Sequence, residues 1–388
     1  MVANSSQRMG NPVAATGKSF TKGDTQKVKG LAIILMVIHH CFLDPERYAG
    51  QDVVFAPFSE PVFNWIALSF NICVALFVFI SAYGITMSQR RLSPDYKLSA
   101  RQSEVLVLKR LVSMVGGFLF VFLLAQAWSL LVVHDGRYLR VYGEGFLGVL
   151  YFVLDALGLA ELFSTPTFLA TFWYMSLAII IVMLMIVLPR IYKTTGVVPL
   201  LFFAVLFRVL FVPSSDAHYC YLPNYLFCIV MGLWAAEENL IVRIDDAKVA
   251  TGEVGSRAIK LLLALAVGAL SLYLRQKTRY TALLPFWDGV IAVDTCYVMY
   301  GFVNHIPVVN FALDVLGKHS MNIFLAHNFV RVIWYYDFTY SFRYWWLITL
   351  VLLGISLALS VGIEALKRLT RYDKLIVILR GKCDVTGG

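Results

Sequence analysis

The chain has 388 residues, of which 59% are hydrophobic and only 15% charged, with a formal net charge of +9. Soluble domains run at about 45–50% apolar and about 25% charged, so a water-soluble globular fold is excluded and a polytopic, all-α membrane protein is implied. In such a protein the positive excess reads as loop charge that sets orientation, not as a nucleic-acid surface, and the six scattered cysteines have neither metal-ligand spacing nor a disulfide framework.

Residues 1–26 are polar and mixed, without an apolar core, and read as a flexible tail rather than a signal peptide. A spanning helix needs roughly 20 mostly apolar residues. On that basis candidate spans fall near 28–43, 62–88, 105–133, 171–188, 197–212, 222–236, 258–275, 282–302, 320–336 and 344–366, followed by a basic tail over 367–388. The first and fifth are short. A further apolar stretch, 146–163, carries Asp155 and Glu161. If it does not cross and both termini are cytoplasmic, the inside segments hold 24 Lys and Arg against 7 outside. If it does cross, later clusters change sides and the bias largely vanishes. The expectation is therefore about ten crossings, with 146–163 interfacial or re-entrant and 27–366 forming the membrane domain.

The chemistry-bearing residues lie within these spans, where ionisable groups are costly and mark function. "KGLAIILMVIHHCF" (29–42) starts with Lys29, runs through apolar residues and reaches His39 and His40 roughly 15–17 Å further on at 1.5 Å per residue. Neighbours on a helix differ by about 100°, so one ring faces a given cavity squarely, and His is the side chain suited to act as a base near neutral pH. A neutral His bonded to a neighbouring helix is the competing reading. The second span ends "NICVALFVFISAYGITMSQRR" (71–91), whose small residues allow close packing. Arg90 and Arg91, with Lys109 and Arg110 beyond them, form a cluster that sets topology or holds phosphate. Trp173 in "TFWYMSL" reads as an interfacial aromatic, and Arg208 as a snorkelling side chain. Asp288, His327 and Arg331 are intramembrane polar residues, His327 and Arg331 lying one turn apart. There is no GxSxG elbow, HExxH or phosphate-binding loop.

Together "KGLAIILMVIHHCF", "ICVALFVFISAYGI", "TFWYMSLAIIIVML" and "GKHSMNIFLAH" resemble, in order and over about residues 27–366, the acyltransferase 3 family of integral-membrane acyltransferases. The resemblance implies ten core helices and transfer of an acyl group, most often acetyl from cytoplasmic acetyl-CoA, to a hydroxyl of a cell-surface or lipid-linked carbohydrate. The family's first-helix signature, an arginine, ten residues and a histidine, is matched by Lys29 and His40, with charge retained but the guanidinium fork lost. Its Phe-Ile-Ser-Gly-Tyr-like element reads Phe79, Ile80, Ser81, Ala82, Tyr83. On this reading His40 is the general base with His39 beside it. Lys29, Arg90, Arg91, Lys109 and Arg110 hold the phosphates of acetyl-CoA, and no metal takes part. Asn71, Tyr83 or a backbone N–H polarises the thioester. Ser81, Trp173, Asp288, His327 and Arg331 support the substrate or the site. Direct transfer and a short-lived acyl-enzyme on a histidine or Ser81 are both compatible with the residues. Membrane lipids, acyl-CoA and a carbohydrate are the implied partners, and a cell membrane, in bacteria the cytoplasmic one, the location. A transporter or flippase of a lipid-linked sugar is the alternative.

Overall fold

The computed structural model describes residues 18–211 and 221–385, and among these the chain is helical with one isolated bridge, Val54 to Tyr344. In chain order the helices are α1 (Lys22–Phe42), α2 (Glu60–Ser69), α3 (Ile72–Leu92), α4 (Ala100–Trp128), α5 (Arg137–Tyr142), α6 (Gly145–Ala156), α7 (Trp173–Leu184), α8 (Leu188–Thr195) and α9 (Val197–Leu210). They continue with α10 (Leu222–Glu237), α11 (Leu240–Asp246), α12 (Glu253–Lys277), α13 (Leu284–Gly301), α14 (Pro307–Lys318), α15 (Ser320–Asn328), α16 (Tyr336–Tyr340), α17 (Trp345–Leu369) and α18 (Tyr372–Val385).

All ten expected spans fall largely on helix where they are described. By length and apolarity, however, four helical stretches among the described residues are fit to cross a membrane alone: Glu60–Leu92, Arg101–Val133, Glu253–Lys277 and Trp345–Leu369. Two bent pairs raise this to six, α7 with α8 (48°) and α10 with α11 (61°). The other expected spans are shorter or carry charge; α9, for instance, is apolar but has only 14 residues. Stretch 146–163 contributes only the 12-residue α6, about 18 Å long at 1.5 Å per residue and too short for a core of about 30 Å. Its Asp155 is fully buried and accepts hydrogen bonds from Tyr142 Oη (2.6 Å), Thr167 Oγ1 (2.9 Å) and Phe168 N (2.6 Å), closing the segment on itself.

Both tails contain helix among the described residues. Helix α1 begins at Lys22, inside the expected flexible tail, because Thr21 and Asp24 form a reciprocal capping box that satisfies otherwise orphaned N–H groups. Residues 1–17 of that tail lie outside the described residues. At the other end the described part of the basic tail is largely helical, and α18 runs back over α4. Tyr372 Oη donates to Gly116 O (2.9 Å), and Ile376 fills the notch that Gly116 leaves.

Helices α1, α3, α10, α13 and α14 form the central bundle. Two crossings in it are so close that only glycine fits. A Cβ on Gly317 would sit 1.9 Å from Gln26 O, and one on Gly30 2.1 Å from Leu313 O, where α1 meets α14. A Cβ on Gly232 would lie 2.4 Å from Phe79 O, where α10 meets α3. Small residues let helix backbones approach in this way. Gly317→Val is expected to lower the melting temperature of the detergent-solubilised protein, by a destabilisation of about 1–3 kcal/mol or more. Gly354→Ala, whose Cβ meets nothing within 4 Å, serves as the control and leaves it unchanged or slightly raised.

Candidate active site

The geometry of α1 explains the Lys29-to-His40 spacing. Eleven residues at about 100° each return to within about 20° of the same face, so Lys22, Lys29, Met36 and His40 form one stripe down the helix. This stripe faces two cavities that meet. The first, of about 500 Å³, is lined by His39, His40, Asn71, Trp173, Asn224, Arg275 and Asp288 among others. The second, of about 800 Å³, is lined by Lys22, Arg91, Lys109, Arg110 and Arg380. Lys29, Ser81, Met114, Ala178 and Met321 line both and form the neck between them.

His40 Nδ1 lies 2.7 Å from His327 Nε2, with the rings stacked 9° from parallel and their centroids 4.9 Å apart. The protons in this pair follow from its neighbours. His327 Nδ1 lies 2.9 Å from Phe324 O and 3.1 Å from Ile323 O, so it carries a hydrogen and donates to these carbonyls. With the ring neutral, Nε2 is then the acceptor, and His40 Nδ1 must donate to it. His40 Nε2 is left as a lone pair. His39 behaves differently: its Nδ1 donates to Ala67 O (2.9 Å), at the break between α2 and α3. That carbonyl also takes Phe70 N (3.2 Å), so the turn that brings Asn71 to the chamber is clasped by His39.

Of the other expected residues, Lys29, Arg91, Lys109 and Arg110 come together around the basic cavity. The Nε of Arg110 is buried with no hydrogen-bond partner among the described residues. Arg90 is not with them. It turns away to Ala236 O (2.6 Å) and Glu237 O (3.3 Å) and closes the C-terminal end of α10, and it is not among the residues lining the basic cavity. Tyr83 is likewise engaged elsewhere: its hydroxyl donates to Phe20 O (3.0 Å) and holds the segment before α1, not a thioester carbonyl. Trp173 lines the chamber, its ring 4.4 Å from that of Tyr221 and stacked 16° from parallel over Tyr225. Asp288 is almost fully buried and bonded to the buried Arg275, so one pair of charges satisfies itself in the chamber wall. Arg331 sits in a π-helical stretch, Phe329–Trp334, just after His327, and its Nε donates to Asn328 Oδ1 (2.7 Å). Such bulges often mark functional sites. Arg208 is buried instead of snorkelling.

Sequence reading missed Arg275, Arg279, Asn224 and Arg380. In sequence Arg275 and Arg279 are loop charge beyond a span; α12 in fact carries Arg275 into the wall. Arg380 is tail charge in sequence, but α18 folds back to deliver it to the basic cavity. Spacing could have flagged Arg275 alone, as a partner for Asp288 near the same end of the next helix.

The acyltransferase domain of the acyltransferase 3 family matches residues 28–365. The chain belongs to that family of membrane acyltransferases, and its expected membership is shown over essentially its whole length. No curated protein and no solved structure matches it.

The buried Arg275–Asp288 pair makes a stability prediction. Removing one partner strands the other charge, at about 3–5 kcal/mol. Arg275→Met should therefore melt well below the parent, and the double change Arg275→Met with Asp288→Leu should recover most of the loss. Equal melting of the single and double variants would remove the pair from the account of the fold.

Proposed function

We propose that the protein is an O-acyltransferase that moves an acyl group, acetyl in the first instance, from cytoplasmic acyl-CoA to a hydroxyl of a cell-surface or lipid-linked carbohydrate, with His40 as general base. The observation that carries this reading is the unprotonated His40 Nε2 in a chamber whose neck opens on a basic cavity. Both termini are assigned to the cytoplasmic side, supported by the 24-to-7 asymmetry of Lys and Arg. The basic cavity belongs to that same side, since Lys22, Lys29, Arg91, Lys109, Arg110 and Arg380 all come from segments counted as inside.

The residues fit an acyl-CoA donor. Lys22, Arg91, Lys109, Arg110 and Arg380 would meet its phosphates, and the buried Arg110 Nε supplies a donor without a partner of its own. Lys29 at the neck would pair with the innermost anionic group as a point charge, where an arginine would form a fork. When bound, the donor supplies an activated thioester carbonyl. His40 Nε2 takes the proton of the acceptor hydroxyl as its oxygen attacks that carbonyl, and returns the proton to the departing sulfur, so that free CoA thiol and ester are the products. His327 acts through His40: by accepting from Nδ1 it holds the ring's orientation and tautomer, and its own Nδ1 is anchored on the α15 backbone. Asn71 faces the chamber and is the side-chain amide available to polarise the carbonyl.

The test is thiol release by purified protein given acetyl-CoA and a sugar acceptor. His40→Ala should lower kcat by about 10²–10⁴-fold with the melting temperature and the KM for acetyl-CoA little changed. Unimpaired turnover in that variant would sink the assignment, and a protein that only carried a sugar across the membrane would release no thiol at all. His327→Ala should lower kcat at nearly constant KM, while His327→Gln, whose side-chain oxygen still accepts from His40 Nδ1, should recover part of the loss. Lys29→Ala and Arg110→Ala should act on the other parameter, raising KM for acetyl-CoA by about ten-fold through loss of one charged contact.

A further inference from the structure

The end of the chamber away from the neck has a composition that the donor does not explain. Trp173, Tyr221 and Tyr225 form a continuous aromatic wall there, Trp173 lying 4.4 Å from Tyr221 and nearly parallel to Tyr225. Flat aromatic faces with polar tips suit the alternating C–H and O–H faces of a sugar ring. Asn224, in the first turn of α10 beside this wall, has a buried Oδ1 with no hydrogen-bond partner among the described residues, an acceptor available to a hydroxyl. Two arginines close the same end. Arg275 is neutralised by Asp288. Arg279 is not: among the described residues it makes no carboxylate pair, and its guanidinium lies against the ring of Tyr280 at 5.6 Å. A half-buried guanidinium lining a cavity without a counter-charge favours an anionic ligand. The cations of the basic cavity lie beyond the neck, at the opposite end of the path, so the donor's phosphates have their own site.

We propose that this end of the chamber is the acceptor subsite, and that it selects a sugar bearing an anionic group, carboxylate or phosphate, with Arg279 as the residue that recognises the charge. The sugar ring stacks on Trp173, one hydroxyl donates to Asn224 Oδ1, and the anionic group pairs with Arg279, leaving another hydroxyl to face His40. This rests on the acyltransferase reading of the chamber and names the class of its acceptor.

Glucose, glucuronic acid and glucose 6-phosphate are the probes, compared on the full chain in detergent by two readouts, ligand-induced quenching of tryptophan fluorescence and thiol release from acetyl-CoA. At least one charged sugar should bind, and be acylated with a kcat/KM, about ten-fold better than glucose, and which one does so tells carboxylate from phosphate. Arg279→Gln should raise Kd and KM for that sugar by about the same factor, and Arg279→Lys should recover part of it. Equal binding of all three sugars, or a charge preference that survives Arg279→Gln, overturns the proposal. So does Arg279→Gln acting on the KM for acetyl-CoA instead, since that gives the cation to the donor. The two readings separate cleanly: charged-sugar binding through Arg279 without any thiol release keeps the subsite and removes the acyltransferase mechanism, whereas thiol release without charge preference does the reverse.

Discussion

The hydrogen bond from His40 Nδ1 to His327 Nε2 ties α1 near the start of the chain to α15 near its end, and the candidate site depends on it. Inside an apolar bundle a ring nitrogen has no water to satisfy it, so each must find a partner or stand open in a cavity. His327 commits its Nδ1 hydrogen to its own helix, which makes its other nitrogen an acceptor and dictates the tautomer of His40. One backbone contact thereby determines which nitrogen of His40, a residue that lines the chamber, is left without a hydrogen. His39 obeys the same constraint with a different outcome. Its Nδ1 is committed to Ala67 O, so the ring stabilises the break between α2 and α3.

The same rule distributes the charges. Arg275 and Asp288 cancel each other within the wall, and Arg90 caps the carbonyls ending α10. Among the described residues, Arg110 and Arg279 remain without such partners on opposite sides of the neck. Charges that satisfy one another build the bundle. The two ends of the path therefore differ in kind: a cation-rich cavity of about 800 Å³ and an aromatic chamber of about 500 Å³ in which Arg279 makes no carboxylate pair among the described residues. That division suits a reaction in which a large polyanionic donor and a smaller, ring-shaped acceptor meet at the neck.

Backbone proximity holds this arrangement rigid. Gly30 and Gly317 let α14 press against α1 beside the stripe that carries Lys29 and His40, and Gly232 does the same for α10 on α3. Contacts this short restrict sliding, so the register between Lys29, Met36 and His40 and the facing walls is set by sterics more than by any polar contact.

Composition alone was enough to place the chain in a membrane, because an excess of apolar residues this large has no soluble solution. The Lys29–His40 spacing was also legible, since helical periodicity is a local property, and with the flanking motifs it carried the family membership. What only the tertiary structure decided was partnership. Arg90 and Arg91 are indistinguishable in sequence, yet one caps a helix and the other lines a cavity, because the roughly 100° between them turns them toward different neighbours. Trp173 becomes a chamber wall only when Tyr221 and Tyr225, from a different helix region, are brought against it. Arg275 and Arg380 leave the loop and the tail only when α12 and α18 fold them inward. The tautomer of His40 likewise depended on a residue 287 positions away, a distance over which no local pattern carries information.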